Sequence, residues 1–257
     1  MKKKVKNKRI NYFILLIIIA SGIGFAFYMV NSATDYALNY PENSNDNNNI
    51  PNNQNNNKNE FREPSYDNAK PADITKGNLI LVNKENYLPR DFVPSNLVNI
   101  EPNHGRAGQI KAEVYEAFKK MDTEARLEGL DLYITSFYRS WERQNTIFND
   151  FVRRDGVEMA ETYSARPGHS EHQTGLALDI VAGVGGVMRG FEHTMEYSWL
   201  IANAHNFGFI LRYPKGKTHI TGFIYEPWHW RYLGVEMATR VRNSNLTFDE
   251  FYARYIK

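Results

Sequence analysis

The chain has 257 residues, with 31 Lys/Arg against 29 Asp/Glu for a formal charge of +2, and no cysteine. The lack of cysteine excludes disulfides, thiolate metal ligands and a cysteine nucleophile, so any metal must be held by histidine and carboxylate. Six of the basic residues fall within the first twelve positions and the remaining 25 face all 29 acids, a balance that leaves no nucleic-acid footprint, which needs clustered cations on the folded part.

In chain order, "MKKKVKNKRINY" is cationic and is followed by "FILLIIIASGIGFAFYMV", which carries no charge. Residues 1–11 are read as a cytoplasmic basic segment. Residues 12–30 come close to the ~20 needed for a membrane-spanning helix. The basic flank predicts that this end stays inside and the remainder is exported. A cleaved signal peptide is the alternative, but its apolar core is normally shorter and no A-x-A-like site follows Val30. Residues 31–74 are rich in Asn and poor in aliphatic residues, so they cannot bury enough apolar surface to offset ordering and are expected to form a disordered tether. Residues 75–257 are left for one folded domain with a substantial core.

Within that domain, "GNLILVNKENYLP" is expected to begin as a strand. The spacing of Ile110, Val114, Phe118, Met121 and Ala125 predicts a helix over 106–128, stopped by Gly129. "LDLYITSFYRS" alternates like a strand, "WERQNTIFNDFVRRDG" and "VEMAETYSA" read as helices, and "GLALDIVAG" is a short buried strand. "EYSWLIANAHNFGF" is a helix leading into "FILRYP", and "GFIYEPWHWRYLG" a strand broken at Pro227. "VEMATRVRN" and "TFDEFYARYI" close the chain as helices. Without a regular βαβ rhythm, this order favours α+β.

Chemistry concentrates in two stretches. "SARPGHSEHQTGLALDI" places His172 and Asp179 seven residues apart, and Asp179 lies among aliphatic neighbours. Burying such a charge is costly unless a cation or several donors satisfy it; a surface-facing Asp on an alternating strand is the plainer alternative. "YEPWHWRY" adds Glu226 and His229. Residues three apart on a straight strand face opposite sides, so both reach one site only if the chain bends at Pro227. His172, Asp179 and His229 together offer the three protein ligands of a catalytic zinc with an open fourth position. A further carboxylate must then move the proton. Glu226 suits that role, with Glu171 as the rival, although its side chain is expected to diverge from that of His172 in an extended segment.

Taken together, these stretches resemble the VanY-type zinc D-alanyl-D-alanine carboxypeptidases, which trim peptidoglycan stem peptides. The S-x-H-x(6)-D block matches at Ser170, His172 and Asp179, and the E-x-x-H block at Glu226 and His229. The likeness continues through "LVNKENYLP", "TSFYRSWERQ", "EYSWLIANAHNFGFILRYP" and "ITGFIYEPWHWRYLG". It implies a single α+β domain of the Hedgehog/DD-peptidase type, with a small antiparallel sheet and flanking helices. It implies one Zn2+ on His172, Asp179 and His229, Glu226 as catalytic base, and Arg139 as anchor for substrate or transition state. A guanidinium suits either a terminal carboxylate or a developing oxyanion.

Ser136, Gln144, Ser170 and Tyr213 are further candidates for holding the peptide; Gln173 serves equally well to hold its loop, and Trp228 and Trp230 to wall the site. The expected function is removal of the terminal D-Ala outside the cell membrane, with stem peptides as partners, the N-terminal helix as anchor, and no nucleic acid or obligate protein partner. Close alternatives are an L,D-carboxypeptidase trimming tetrapeptides to tripeptides and an endopeptidase cutting within the stem peptide. A D-Ala-D-Ala dipeptidase would work in the cytoplasm, against the expected export. A wall-binding domain without catalysis is the reading from another class, and Glu226 argues against it.

Overall fold

A computed structural model of the chain describes residues 64–257. Their framework is a four-stranded antiparallel sheet of β5 (Leu132–Ser136), β6 (Ala177–Ala182), β8 (His229–Tyr232) and β7 (Phe209–Leu211), in the order β5-β6-β8-β7. Two small pairs precede it, β1 (Lys70–Pro71) beside β2 (Asn86–Tyr87) and β3 (Leu97–Asn99) beside β4 (Gln109–Lys111). Strand β6 is central, and its "ALDIVA" is almost wholly buried, as an interior strand covered on both sides requires.

Helix α1 (Ala112–Leu127) turns Val114, Tyr115, Phe118, Met121 and Ala125 inward, the three-and-four spacing of a helix with one covered face. It ends where Gly129 takes a φ of +78°, a left-handed conformation that costs glycine little. Helices α2 (Trp141–Asp155) and α3 (Val157–Tyr163) follow β5, and Ser140 caps α2 by accepting from the Arg143 N–H. Helix α4 (Met195–Asn203) packs on β6, and the four-residue turn α5 (Thr218–Thr221) follows β7. Helices α6 (Val235–Ser244) and α7 (Phe248–Tyr255) close a second apolar cluster of Leu81, Ile210, Leu233, Ala238, Val241, Phe248 and Phe251. The α+β expectation of one mixed domain with a small antiparallel sheet therefore holds.

Several local expectations are corrected. Ile80, Leu81 and Val82 are buried but form no strand; the Ile80 carbonyl instead accepts from the Arg231 guanidinium at 2.7 Å. Ile110 is not helical but pairs with Val98 in β3–β4, so the first turn of the expected helix is spent on a hairpin. In "GFIYEPWHWRYLG" only His229–Tyr232 is strand. The tether expected to run to residue 74 overlaps the fold: Lys70–Pro71 pairs with Asn86–Tyr87, and the Tyr66 ring meets His169 edge-on at 4.8 Å. The basic segment 1–11, the anchor 12–30 and the tether before residue 64 lie outside the described residues. Among the described residues no helix is long and apolar enough to cross a membrane.

Candidate metal centre

Strand register assembles the site. Asp179 pairs directly with His229 across β6–β8 and with Ser136 across β5–β6, and residues directly opposite in antiparallel strands share a face. His172 arrives on a short 3₁₀ helix, Glu171–Thr174, which Gly175 ends at φ +69° before the chain enters β6. Glu226 arrives through a turn at Pro227–Trp228, in which the His229 N–H donates to the Glu226 carbonyl at 3.2 Å. The Trp230 indole N–H donates to the Pro227 carbonyl and ties the turn down. This is the bend the sequence demanded, and it puts Glu226 and His229 on the same side.

His172, Asp179 and His229 are buried and offer ligand atoms within 4.8 Å of one another. Asp179 Oδ1 lies 3.4 Å from His172 Nε2 and 3.4 Å from His229 Nδ1. Bonds of ~2.0–2.1 Å to a tetrahedral ion place neighbouring ligand atoms about 3.3 Å apart. Asp179 Oδ1 is also buried with no hydrogen-bond partner, an expensive condition for a carboxylate unless a cation answers it. Two imidazoles and one carboxylate fit a divalent ion such as zinc, and the fit rests on these atoms.

The surroundings prepare each ligand differently. The Phe137 carbonyl lies 2.9 Å from His172 Nδ1, which assigns the proton to Nδ1 and turns the Nε2 lone pair toward Asp179. Burial, aided by Arg139, lowers the His172 imidazole to about 4, so it is neutral near pH 7, as ligation requires. At Asp179, burial is outweighed by His172 and His229, which hold the carboxyl far below its usual range. At His229, burial opposes a charge, yet Asp179, Glu171 and Glu226 together push the imidazole well above its ordinary value. Three carboxylates thus converge where one positive charge is wanted.

Glu226 is buried with Oε2 3.4 Å from His229 Nδ1. Burial raises its carboxyl, against the pull of His229 and Arg139. Arg139 follows β5; its backbone N–H donates to the His172 carbonyl, and its side chain to Ser136 Oγ at 3.3 Å. Among the described residues this guanidinium forms no ion pair, which leaves its fork for a ligand.

The model of the VanY D-alanyl-D-alanine carboxypeptidase family matches residues 107–235, which take in every residue of this centre. The chain belongs to this family. A D-alanyl-D-alanine carboxypeptidase of Enterococcus faecalis (strain ATCC 700802 / V583) is 36% identical over 192 residues, covering 70% of this chain and 67% of that protein. Among solved structures, the LdcB LD-carboxypeptidase is 38% identical with a TM-score of 0.68, covering 73% of this chain and 91% of that one. A mutant of the vancomycin resistance D,D-pentapeptidase VanY in complex with Zn(II) is 35% identical with a TM-score of 0.59, covering 68% and 98%.

The remaining candidates of this VanY-family site have varied surroundings. Ser136 lies beside Asp179 and receives Arg139. Ser170 stands at the start of the 3₁₀ helix, its hydroxyl making no cap hydrogen bond. The Tyr213 ring packs on His229 at 4.8 Å, and its carbonyl accepts from the Glu226 N–H. The Gln144 amide donates to the Ala165 carbonyl at 2.6 Å and so ties α2 to the loop before His172. Gln173 holds its loop by donating to the Pro89 and Phe92 carbonyls.

Glu171, considered as a rival base, occupies a different place. It is fully buried between Arg212 and Arg231. The signal was present in the sequence, since Arg212 and Arg231 stand among apolar and aromatic residues in "ILRYP" and "HWRYLG". The reasoning that singled out Asp179 applies equally to a buried guanidinium, which needs an acid.

Proposed function

We propose that this zinc metallopeptidase is a D-alanyl-D-alanine carboxypeptidase that removes the terminal D-Ala from peptidoglycan stem peptides in the cell-wall space, outside the membrane. The observation that carries the reading is the buried His172–Asp179–His229 cluster with the Glu226 carboxylate beside it. Bound zinc supplies a Lewis acid that polarises a carbonyl and makes water a stronger nucleophile near pH 7. The protein's own groups do the rest. Glu226 takes a proton from the attacking water and returns it to the leaving D-Ala amine. Arg139 meets the terminal carboxylate or the developing oxyanion through charged N–H groups. Ser136, beside Asp179, and Tyr213, packed on His229, are the neighbouring groups that would hydrogen bond the peptide.

Export rests on the cationic segment and the uncharged run that follows it, the pattern that keeps the basic end inside and sends the remainder across. Tethering to the membrane would place the domain where stem peptides are.

The likeness to an LD-carboxypeptidase favours a second reading, trimming of tetrapeptides to tripeptides. The two separate when the full-length protein is given zinc and muropeptides and the products are weighed by mass spectrometry. Conversion of pentapeptide to tetrapeptide is expected. Conversion of tetrapeptide alone selects the second reading, and no conversion of either rejects both.

Arg139→Ala is expected to lower kcat/KM by roughly 10²–10³, the cost of losing one oxyanion-type donor, while zinc content stays unchanged. Steady-state kinetics beside metal analysis checks this; full activity would remove Arg139 from the site.

A further inference from the structure

The atoms of Glu171 are divided between two tasks. Its Oε1 accepts from Arg212 Nε at 2.8 Å and from Arg231 Nη1 at 2.6 Å. Its Oε2 is buried with no hydrogen-bond partner and lies 3.6 Å from His229 Nε2, which is buried and unpartnered as well. The other ring nitrogen of His229, Nδ1, faces Asp179 Oδ1 at 3.4 Å. One orphaned acceptor thus confronts one orphaned donor position, on the side of the ring away from the ligand cluster.

The arginines are fixed in their turn. Arg212 donates to both carboxylate oxygens of Asp249 on α7, and Asn83 donates to Asp249 Oδ1 at 2.9 Å. Arg231 donates to the Ile80 and Asn78 carbonyls at 2.7 and 2.9 Å. Neither arginine side chain has any exposed surface. The two guanidiniums therefore clamp one oxygen of Glu171 and leave the other aimed at His229.

From this division we propose that Glu171 is a positioning residue for the metal centre: its Oε2 accepts the Nε2–H of His229, which sets the tautomer and turns the Nδ1 lone pair onto the ion. The inference rests on the zinc reading above and adds how the third ligand is held. A carboxylate behind a ligating imidazole fixes ring orientation and raises ligand basicity, and its loss typically costs ~10–100-fold in metal affinity. Balancing the charge of Arg212 and Arg231 is the other work Glu171 performs, and that work makes no demand on which nitrogen of His229 carries a proton.

Two measurements on the full-length protein separate these. Zinc affinity by chelator competition is expected to fall ~10–100-fold in Glu171→Gln, with the circular dichroism of the metal-free variant matching wild type. An unchanged affinity overturns the proposal. Since a substitution between two buried arginines can unfold the chain, the second measurement uses wild type alone. The ¹⁵N spectrum of histidine-labelled, zinc-loaded protein is expected to show His229 metallated at Nδ1 and carrying a slowly exchanging Nε2–H. Metal on Nε2, or a proton on Nδ1, overturns the proposal whatever the variant does. A wild-type protein that takes up no zinc would instead reject the function from which the inference starts.

Discussion

Glu226→Gln is expected to bind about one zinc per chain as wild type does, yet to hydrolyse D-Ala-terminated muropeptides ~10²–10⁴-fold more slowly. Glutamine keeps the volume and the buried position of the side chain and loses only the ability to carry a proton. Glu226 stands outside the three-ligand cluster, 3.4 Å from His229 Nδ1, so metal content should not change. The fall should appear in kcat rather than KM, as when an interaction made only in the transition state is removed. Glu171 cannot take over, because its Oε1 is held by two arginines and its Oε2 lies behind the His229 ring. Full turnover by a zinc-loaded Glu226→Gln protein would mean that another group moves the proton.

Asp179→Asn is expected to abolish both zinc retention and activity while the domain stays folded. Asparagine nearly matches aspartate in shape at the centre of β6, but it removes the one negative charge that touches both imidazoles. Outer partners of a metal site already cost ~10–100-fold in affinity when lost, so loss of a direct ligand should exceed ~100-fold in chelator competition. The metal-free variant should melt below metal-free wild type near pH 7, since His172 and His229 hold the Asp179 carboxyl far below its usual range and that stabilisation is lost with the charge. Equal zinc affinity in wild type and variant would place the ion elsewhere.

Much of this site was legible in one dimension because its rules are local. Asp179 declared itself as a charge inside "LALDI", which only a cation or several donors could stabilise. Pro227 between Glu226 and His229 demanded a bend, and the bend is there. The helix read in "WERQNTIFNDFVRRDG" is α2, Trp141–Asp155, with its stop at Gly156, and the structure adds the Ser140 cap at its start. The failures were equally specific. Ile80–Val82 read as a strand because they are apolar, yet the Ile80 carbonyl goes to a guanidinium some 150 positions away, a partner that no window of neighbouring residues contains. Ile110 matched a helical stripe by phase alone, while its pairing with Val98 was decided by a hairpin.

The sequence by itself determined the kinds of atom available. With no cysteine, a metal had to be met by histidine and carboxylate, and two spaced blocks pointed to His172, Asp179 and His229 through their resemblance to the family. Tertiary structure decided the orientation of those atoms. The pairing of β6 with β8 puts Asp179 opposite His229, the Phe137 carbonyl selects the His172 tautomer, and Glu171 turns from a rival base into the carboxylate behind His229. Orientation depends on contacts between residues forty to sixty positions apart, such as Glu171 with Arg212 and Arg231. Such contacts exist only once the chain has closed on itself, and composition and spacing carry no record of them.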